Sequence, residues 1–186
     1  MSEVTPTKKS GKGLSHGVIS ELTAFFAVKP GHADELRAAC ERFNALLLNG
    51  DQKVIQKIGL RDTRLVVFDN GQRLLWITGF ETDWDPYIDD AIMIIGKKNW
   101  VDWMQHLVEY PTKGLNQATN AEVKAFMQSG QVRASCYFNS LPNQTGPEIQ
   151  QALQVEQVFQ QVLDDPAAAQ ALQVPALKPL LEEAAV

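Results

Sequence analysis

The sequence predicts an α+β domain built on one antiparallel sheet. Three observations carry that expectation. β-rich and helical runs follow one another in the order strand, helix, strand, strand, helices, strand. An Asn-Gly pair sits between the two middle strands, the strongest local sign of a hairpin. Both faces of the β-rich runs are apolar, more than a single helix layer can cover.

The first strand is expected over Ile19 to Lys29, where Leu22, Ala24, Phe26 and Val28 alternate with Thr23, Phe25 and Ala27. Pro30-Gly31 ends it. Asp34 opens a helix with Leu36, Ala39, Cys40, Phe43, Leu46 and Leu47 at helical spacing, closed by Asn49-Gly50. Ile58 to Phe68 and Arg73 to Phe80 then flank Asp69-Asn70-Gly71-Gln72. A type I′ turn there sets Val67 opposite Leu74, Leu65 opposite Trp76 and Arg64 opposite Ile77.

Thr82 to Asp85 starts a helix with Pro86 in its first turn, where a missing N–H costs nothing. Ile88, Ala91, Ile92 and Ile95 mark its apolar face. Gly96-Lys97-Lys98 interrupts, and a second helix carries Trp100, Trp103, Met104 and Leu107. Thr119 to Glu122 is a capping box before Val123, Phe126 and Met127. Gly130 ends that helix, and Val132 to Asn139 reads as the last strand. The result is a ferredoxin-like βαββαβ order with an enlarged second crossover.

Residues 1–17 read as a disordered leader and 18–140 as the ferredoxin-like domain. Residues 141–186 read as a C-terminal helical arm, opened by a capping box from Thr145 to Glu148 and rich in glutamine. The formal net charge of -5 argues against broad electrostatic binding to nucleic acid or an anionic membrane surface. No apolar run reaches the roughly 18 residues of a membrane span, and no apolar core follows the basic N-terminus as a secretory signal requires. The expected location is the cytoplasm. Cys40 and Cys136 have no CxxC partner or nearby histidine and are expected as reduced, buried residues.

Ala27 to His32 with Glu35-Leu36-Arg37 resembles the first crossover of the dimeric α/β-barrel superfamily. That superfamily includes antibiotic-biosynthesis-type monooxygenases and, more distantly, dye-decolourising peroxidases and chlorite dismutases. The segments Arg64 to Phe68, Leu74 to Trp76, Asp83 to Asp90 and Ala134 to Phe138 are similar to an uncharacterised branch of it. Arg61 stands where members of that branch often carry histidine, Asp83 replaces a glycine, and Ala91 replaces a phenylalanine. The Gly-x-x-Asp-Gly motif of the peroxidases is absent, so peroxidase activity is not carried over. The resemblance implies a barrel cavity that holds an aromatic or polyketide-like substrate without a cofactor.

The uncovered apolar face must meet a second sheet, a ligand or the arm, and a homodimer closing a shared barrel is the expected solution. Arg64 is the charge of most interest. It is either the anchor for a carboxylate or phenolate in that cavity or half of an ion pair, for example with Asp62. Phe25, Trp76 and Tyr137 lie on three strands and are the candidates to line the cavity, against the alternative of dimer packing. Arg61 is expected in solvent or at a subunit seam. The acidic run Glu81, Asp83, Asp85, Asp89 and Asp90 has no histidine or cysteine at ligand spacing and suits a helix start. No metal and no cofactor are expected. Haem is the alternative, with His106 as its ligand, and His32 reads as a turn residue.

The function expected is binding of a small aromatic or carboxylate molecule in the cavity, as a cofactor-independent oxygenase-like enzyme. A haem-associated oxidoreductase and a non-catalytic interaction module acting through the arm are the alternatives.

Overall fold

The computed structural model of the chain describes residues 13–111 and 113–184. Most of the expected leader, residues 1–12, lies outside them. The chain divides into two compact units, one ending at Gln144 and one beginning at Thr145.

The first unit contains a five-stranded antiparallel sheet. Its strands are β1 (Ser15–His16), β2 (Ile19–Ala27), β3 (Leu60–Phe68), β4 (Arg73–Phe80) and β5 (Gln131–Val132). Their order is β1-β2-β4-β3, and β5 also pairs with β2. Setting the short β1 aside, the sequence β5-β2-β4-β3 is the ferredoxin-like arrangement, and the sheet is open. The helices are α1 (Ala33–Asn49), α2 (Gln52–Lys57), α3 (Trp84–Ile95), α4 (Lys97–Met104) and α5 (Asn120–Ser129).

The hairpin has the expected register: Val67 lies opposite Leu74, Leu65 opposite Trp76, and Arg64 opposite Ile77. Its loop spans four residues, because Asp69, Asn70 and Gly71 all take positive φ, at 54°, 53° and 83°. Gly71 N–H closes one turn onto Phe68 O and Gln72 N–H the next onto Asp69 O. Asp and Asn tolerate this left-handed region better than most residues, and glycine takes it freely.

The core lies between the sheet and its helices. Leu22, Ala24 and Phe26 of β2 and Leu74, Trp76 and Phe80 of β4 are buried there with Leu36, Ala39 and Phe43 of α1. Trp76 meets Trp100 and Trp103 at 5.7 and 5.9 Å between ring centroids, and Phe43 meets Trp100 at 5.0 Å. The Trp76 indole N–H donates to Thr63 Oγ1 at 3.2 Å, which satisfies a polar atom that burial would otherwise strand.

The last strand differs from expectation. Pairing covers only Gln131 and Val132, and residues 133–139 follow an irregular path. The cause is competition for one edge of β2. β1 pairs with Ile19 and Ser20, and Gly13 and Leu14 exchange backbone hydrogen bonds with Glu21. Only Thr23 and Ala24 remain for β5. The segment after Val132 is thereby turned away from the edge. Ser15 and His16 belong to the sheet and Gly13 and Leu14 extend its hydrogen bonding, so that part of the expected leader is ordered structure.

The second unit holds α6 (Gly146–Leu163), three 3₁₀ turns and α7 (Lys178–Ala184). Thr145 and Glu148 form the expected capping box, with proline in the first turn. None of the α6 side chains is buried. No helix of the described residues is long and apolar enough to cross a membrane.

Candidate functional site

Strand alternation sorts side chains onto two faces. Leu74 and Trp76 point to the helices, and Leu75 and Ile77 to the open side. On that open side Glu21 of β2 pairs with Gly79 of β4, and Gly79 with Asp62 of β3, so the three lie in a row across the sheet. A register shift between Leu60 and Asp62 marks a bulge at Arg61. Such an extra residue re-aims the chain beside it.

Gly79 sits at the centre of this row. A Cβ there would lie 2.8 Å from Asp62 Oδ2. A side chain of any size would occupy the space above the strand, which is one reason for glycine within a strand. The displaced segment Ala134 to Asn139 passes over the row. Between them lies a cleft of about 340 Å³, lined by Glu21, Asp62, Arg64, Ile77, Cys136 and Tyr137 among others.

The charges in the cleft have distinct environments. Glu21 is 2 % exposed, yet its carboxylate is served. It accepts from Leu14 N–H at 2.9 Å and from Thr23 Oγ1 at 2.7 Å. Asp62 pairs with Arg64 at 3.4 Å, with side chains 52 % and 61 % exposed. Tyr137 carries a different signal: its phenol oxygen is enclosed, and no partner meets it with hydrogen-bond geometry. Burial raises the Tyr137 pKa, and the charge of Asp62 adds to the rise. The Asn139 side chain opposes the shift from outside hydrogen-bond geometry. Tyr137 is therefore a neutral donor at physiological pH, beside a carboxylate that accepts.

Arg61 departs from expectation. Its side chain is 15 % exposed, so it is not the solvated arginine expected. It pairs with Glu81 at 2.7 Å and donates to Gln144 O at 2.8 Å, at the end of the cleft's roof. Arg64, expected on an enclosed face, is the exposed arginine. Alternation located it correctly, but the face it occupies is open to water. Cys136 is exposed on the irregular segment instead of buried in a strand, and Cys40, on α1, is partly buried.

Of the predicted cavity residues, the structure brings Arg64 and Tyr137 together. Phe25 shares the open face but lies outside the cleft, edge-on to Phe68 at 6.0 Å. Trp76 lies on the opposite face within the tryptophan cluster, because it is one residue out of phase with Ile77. Among the described residues, Phe25 and Trp76 do not line the cleft that holds Tyr137. The acidic run is drawn into ion pairs: Asp85 and Asp89 hold Lys124 at 3.0 and 2.7 Å, and Glu81 holds Arg61. His106 meets His32, Nδ1 to Nδ1, at 3.0 Å.

Glu21 and Gly79 were not legible as site residues. Each left a trace: a carboxylate inside an apolar strand needs partners, and a strand glycine marks a close approach.

No family model matches the chain, and no curated protein is significantly similar to it in sequence. Several solved structures align with parts of the chain. Tetracenomycin F2 cyclase of Streptomyces glaucescens, a type II polyketide cyclase, aligns at 13% identity over 64% of this chain and 97% of its own, with a TM-score of 0.38. A conserved protein of Methanosarcina mazei aligns at 16% identity over 48% of this chain and 81% of its own, with a TM-score of 0.37. A candidate antibiotic biosynthesis monooxygenase of Bordetella bronchiseptica aligns at 16% identity over 49% of this chain and 83% of its own, with a TM-score of 0.31. The fold assignment rests on the strand order and register described above.

Proposed function

We propose that the open-face cleft binds a small ring-containing organic molecule through hydrogen bonds, without a cofactor. The observation that carries this reading is the unpartnered phenol of Tyr137, enclosed over Gly79 and beside Asp62. A buried hydroxyl without a partner costs about 1–3 kcal/mol, which a ligand acceptor would recover. Glu21 and Asp62 outnumber Arg64 in the lining, and Arg64 is already paired. That balance favours a neutral or cationic hydroxylated ligand over a carboxylate, a change from the anion anchor expected of Arg64. With Asp62 accepting and Tyr137 donating, the pair could move a proton on and off a phenol or enol.

A thermal-shift screen with phenols and hydroxylated aromatics tests the reading. The best ligand should raise Tm in a saturable way. Gly79→Val, which fills the floor, should abolish the shift. Tyr137→Phe should weaken binding about fivefold to tenfold, the worth of one hydrogen bond. Full retention of binding in Gly79→Val would sink the proposal. A Soret band on haemin titration, lost in His106→Ala, would overturn its cofactor-free part.

The rest of the open face supports a second element of the reading, self-association. Phe25 and Val66 remain 39 % and 41 % exposed there. Two copies meeting through this face would close a barrel beside the cleft. Sedimentation equilibrium should give a dimer that Val66→Glu dissociates.

A further inference from the structure

The first unit has a second cleft, of about 650 Å³, where β2 runs into α1. Its lining is Lys29, His32, Gln105, His106, Val108, Tyr110 and Pro111, with no carboxylate among the described residues. The backbone frame is an extension of the sheet. Val28 bridges Leu107, Lys29 N–H donates to His106 O at 2.9 Å, and Val108 N–H to Ala27 O at 2.8 Å. This ladder sets Lys29 and His106 side by side. The turn His32 N–H to Lys29 O brings the second histidine round.

The two imidazoles meet at 3.0 Å between Nδ1 atoms, with ring centroids 5.3 Å apart. The centroid separation exceeds the nitrogen contact by about two ring radii, so the nitrogens face each other head-on. That is the geometry of an N–H···N hydrogen bond. Two metal ligands would instead converge on a third point. One Nδ1 must carry hydrogen and the other a lone pair, so the pair holds together when neutral or singly protonated. Lys29 Nζ donates to Gln105 O at 2.8 Å and sits 5.4 Å over the Tyr110 ring. Neither contact supplies a counter-charge, and no carboxylate among the described residues pairs with it. No side chain caps α1 at His32, so the positive end of a 17-residue helix also lies at this turn, partly offset by Asp34 and Glu35 in its first turn.

We propose that this cleft binds an oxyanion, the carboxylate or phosphate of a small molecule, between Lys29 and the His32–His106 pair, and that the pair takes up one proton as it binds. Val108, Tyr110 and Pro111 supply an apolar wall for the organic part of such a molecule. The electrostatics of the empty pair agree. Burial and the neighbouring His32 hold His106 below its ordinary pKa, and Lys29 pushes the same way. Asp102 and Glu35 pull it up, but Asp102 is already engaged by Arg42 at 2.8 and 3.0 Å. An oxyanion at Lys29 cancels the lysine's push and adds its own attraction, so the protonated pair gains. By linkage, binding must then tighten as pH falls.

The test is a set of histidine ¹H–¹⁵N imidazole spectra of the full chain, titrated separately with sodium phosphate and sodium benzoate. Sodium chloride at matched ionic strength is the control. Saturable shifts of the His32 and His106 signals are expected, with the affinity for benzoate, whose charge is constant in this range, rising about fivefold from pH 7.5 to 6.0. Lys29→Gln, at a half-buried position, should weaken binding by at least about fivefold. Tyr137→Phe, in the other cleft, should leave it unchanged, which keeps this test independent of the function proposed above. Saturation by phosphate alone would identify the phosphate source, and by benzoate alone the organic acid. Shifts that chloride reproduces, or an affinity unchanged in Lys29→Gln, would overturn the proposal.

Discussion

The two faces of the sheet use the same strands for opposite purposes. On the helix side, Leu74, Trp76 and Phe80 pack fully buried into an aromatic core. On the open side, one residue out of phase, Leu75, Ile77 and Gly79 leave room. Large side chains make the first face stable, and a missing one makes the second receptive. Stability and binding are thus separated by strand parity, so a mutation on one face should spare the other.

The largest effect belongs to the core. Trp76→Ala should cost about 3–5 kcal/mol in urea unfolding. Ile77→Ala, beside it but facing out, should cost about 1 kcal/mol. Equal losses would mean that the open face is covered as thoroughly as the helix side.

The arginines sharpen the contrast next. Arg61→Met removes the 2.7 Å Arg61 contact from the enclosed Glu81 carboxylate and should destabilise by about 3 kcal/mol. Arg64→Met removes an exposed pair and should stay within about 0.5 kcal/mol. A reversal of that order would place the buried charge on the wrong strand residue.

A further modest effect lies at α5, which serves the helix side through Phe126 stacked on Phe26 at 5.6 Å. Thr119→Ala removes its N-cap and should cost about 1 kcal/mol while ligand binding at the open face persists. Glu122 completes that cap. Hydrogen bonds from Lys113 and then Thr119 pull its pKa down to about 2. A lowered carboxylate pKa stabilises the fold above the ordinary glutamate value, and the contribution disappears as pH falls through the folded value. Carboxyl NMR should therefore show Glu122 titrating near 2, and higher in Thr119→Ala, with the Lys113 hydrogen bond still holding it below the ordinary glutamate value.

Much of this was legible in the sequence because it is local. The Asn70-Gly71 turn and a period of two fixed the hairpin register, and helical spacing placed Trp100, Trp103 and Met104 in the core. What escaped depends on distant segments. Alternation put Arg64 on a face but could not say that the face is open. Residues 133–139 have strand composition, but residues 13–16 take the edge they would need. His32 and His106, 74 positions apart, are each solitary on their own segments and become a pair only through the Val28–Leu107 bridge.

The competition for the β2 edge has a practical side. Residues 13–16 act as a wedge: while they hold Ile19 to Glu21, the chain after Val132 must roof the cleft. A version trimmed at residue 16 would free that edge, and the roof could zip down as an ordinary strand. The cleft would then vanish without any change to the residues that line it. Where the gene is cut for expression thus decides whether a binding assay has a pocket to report on.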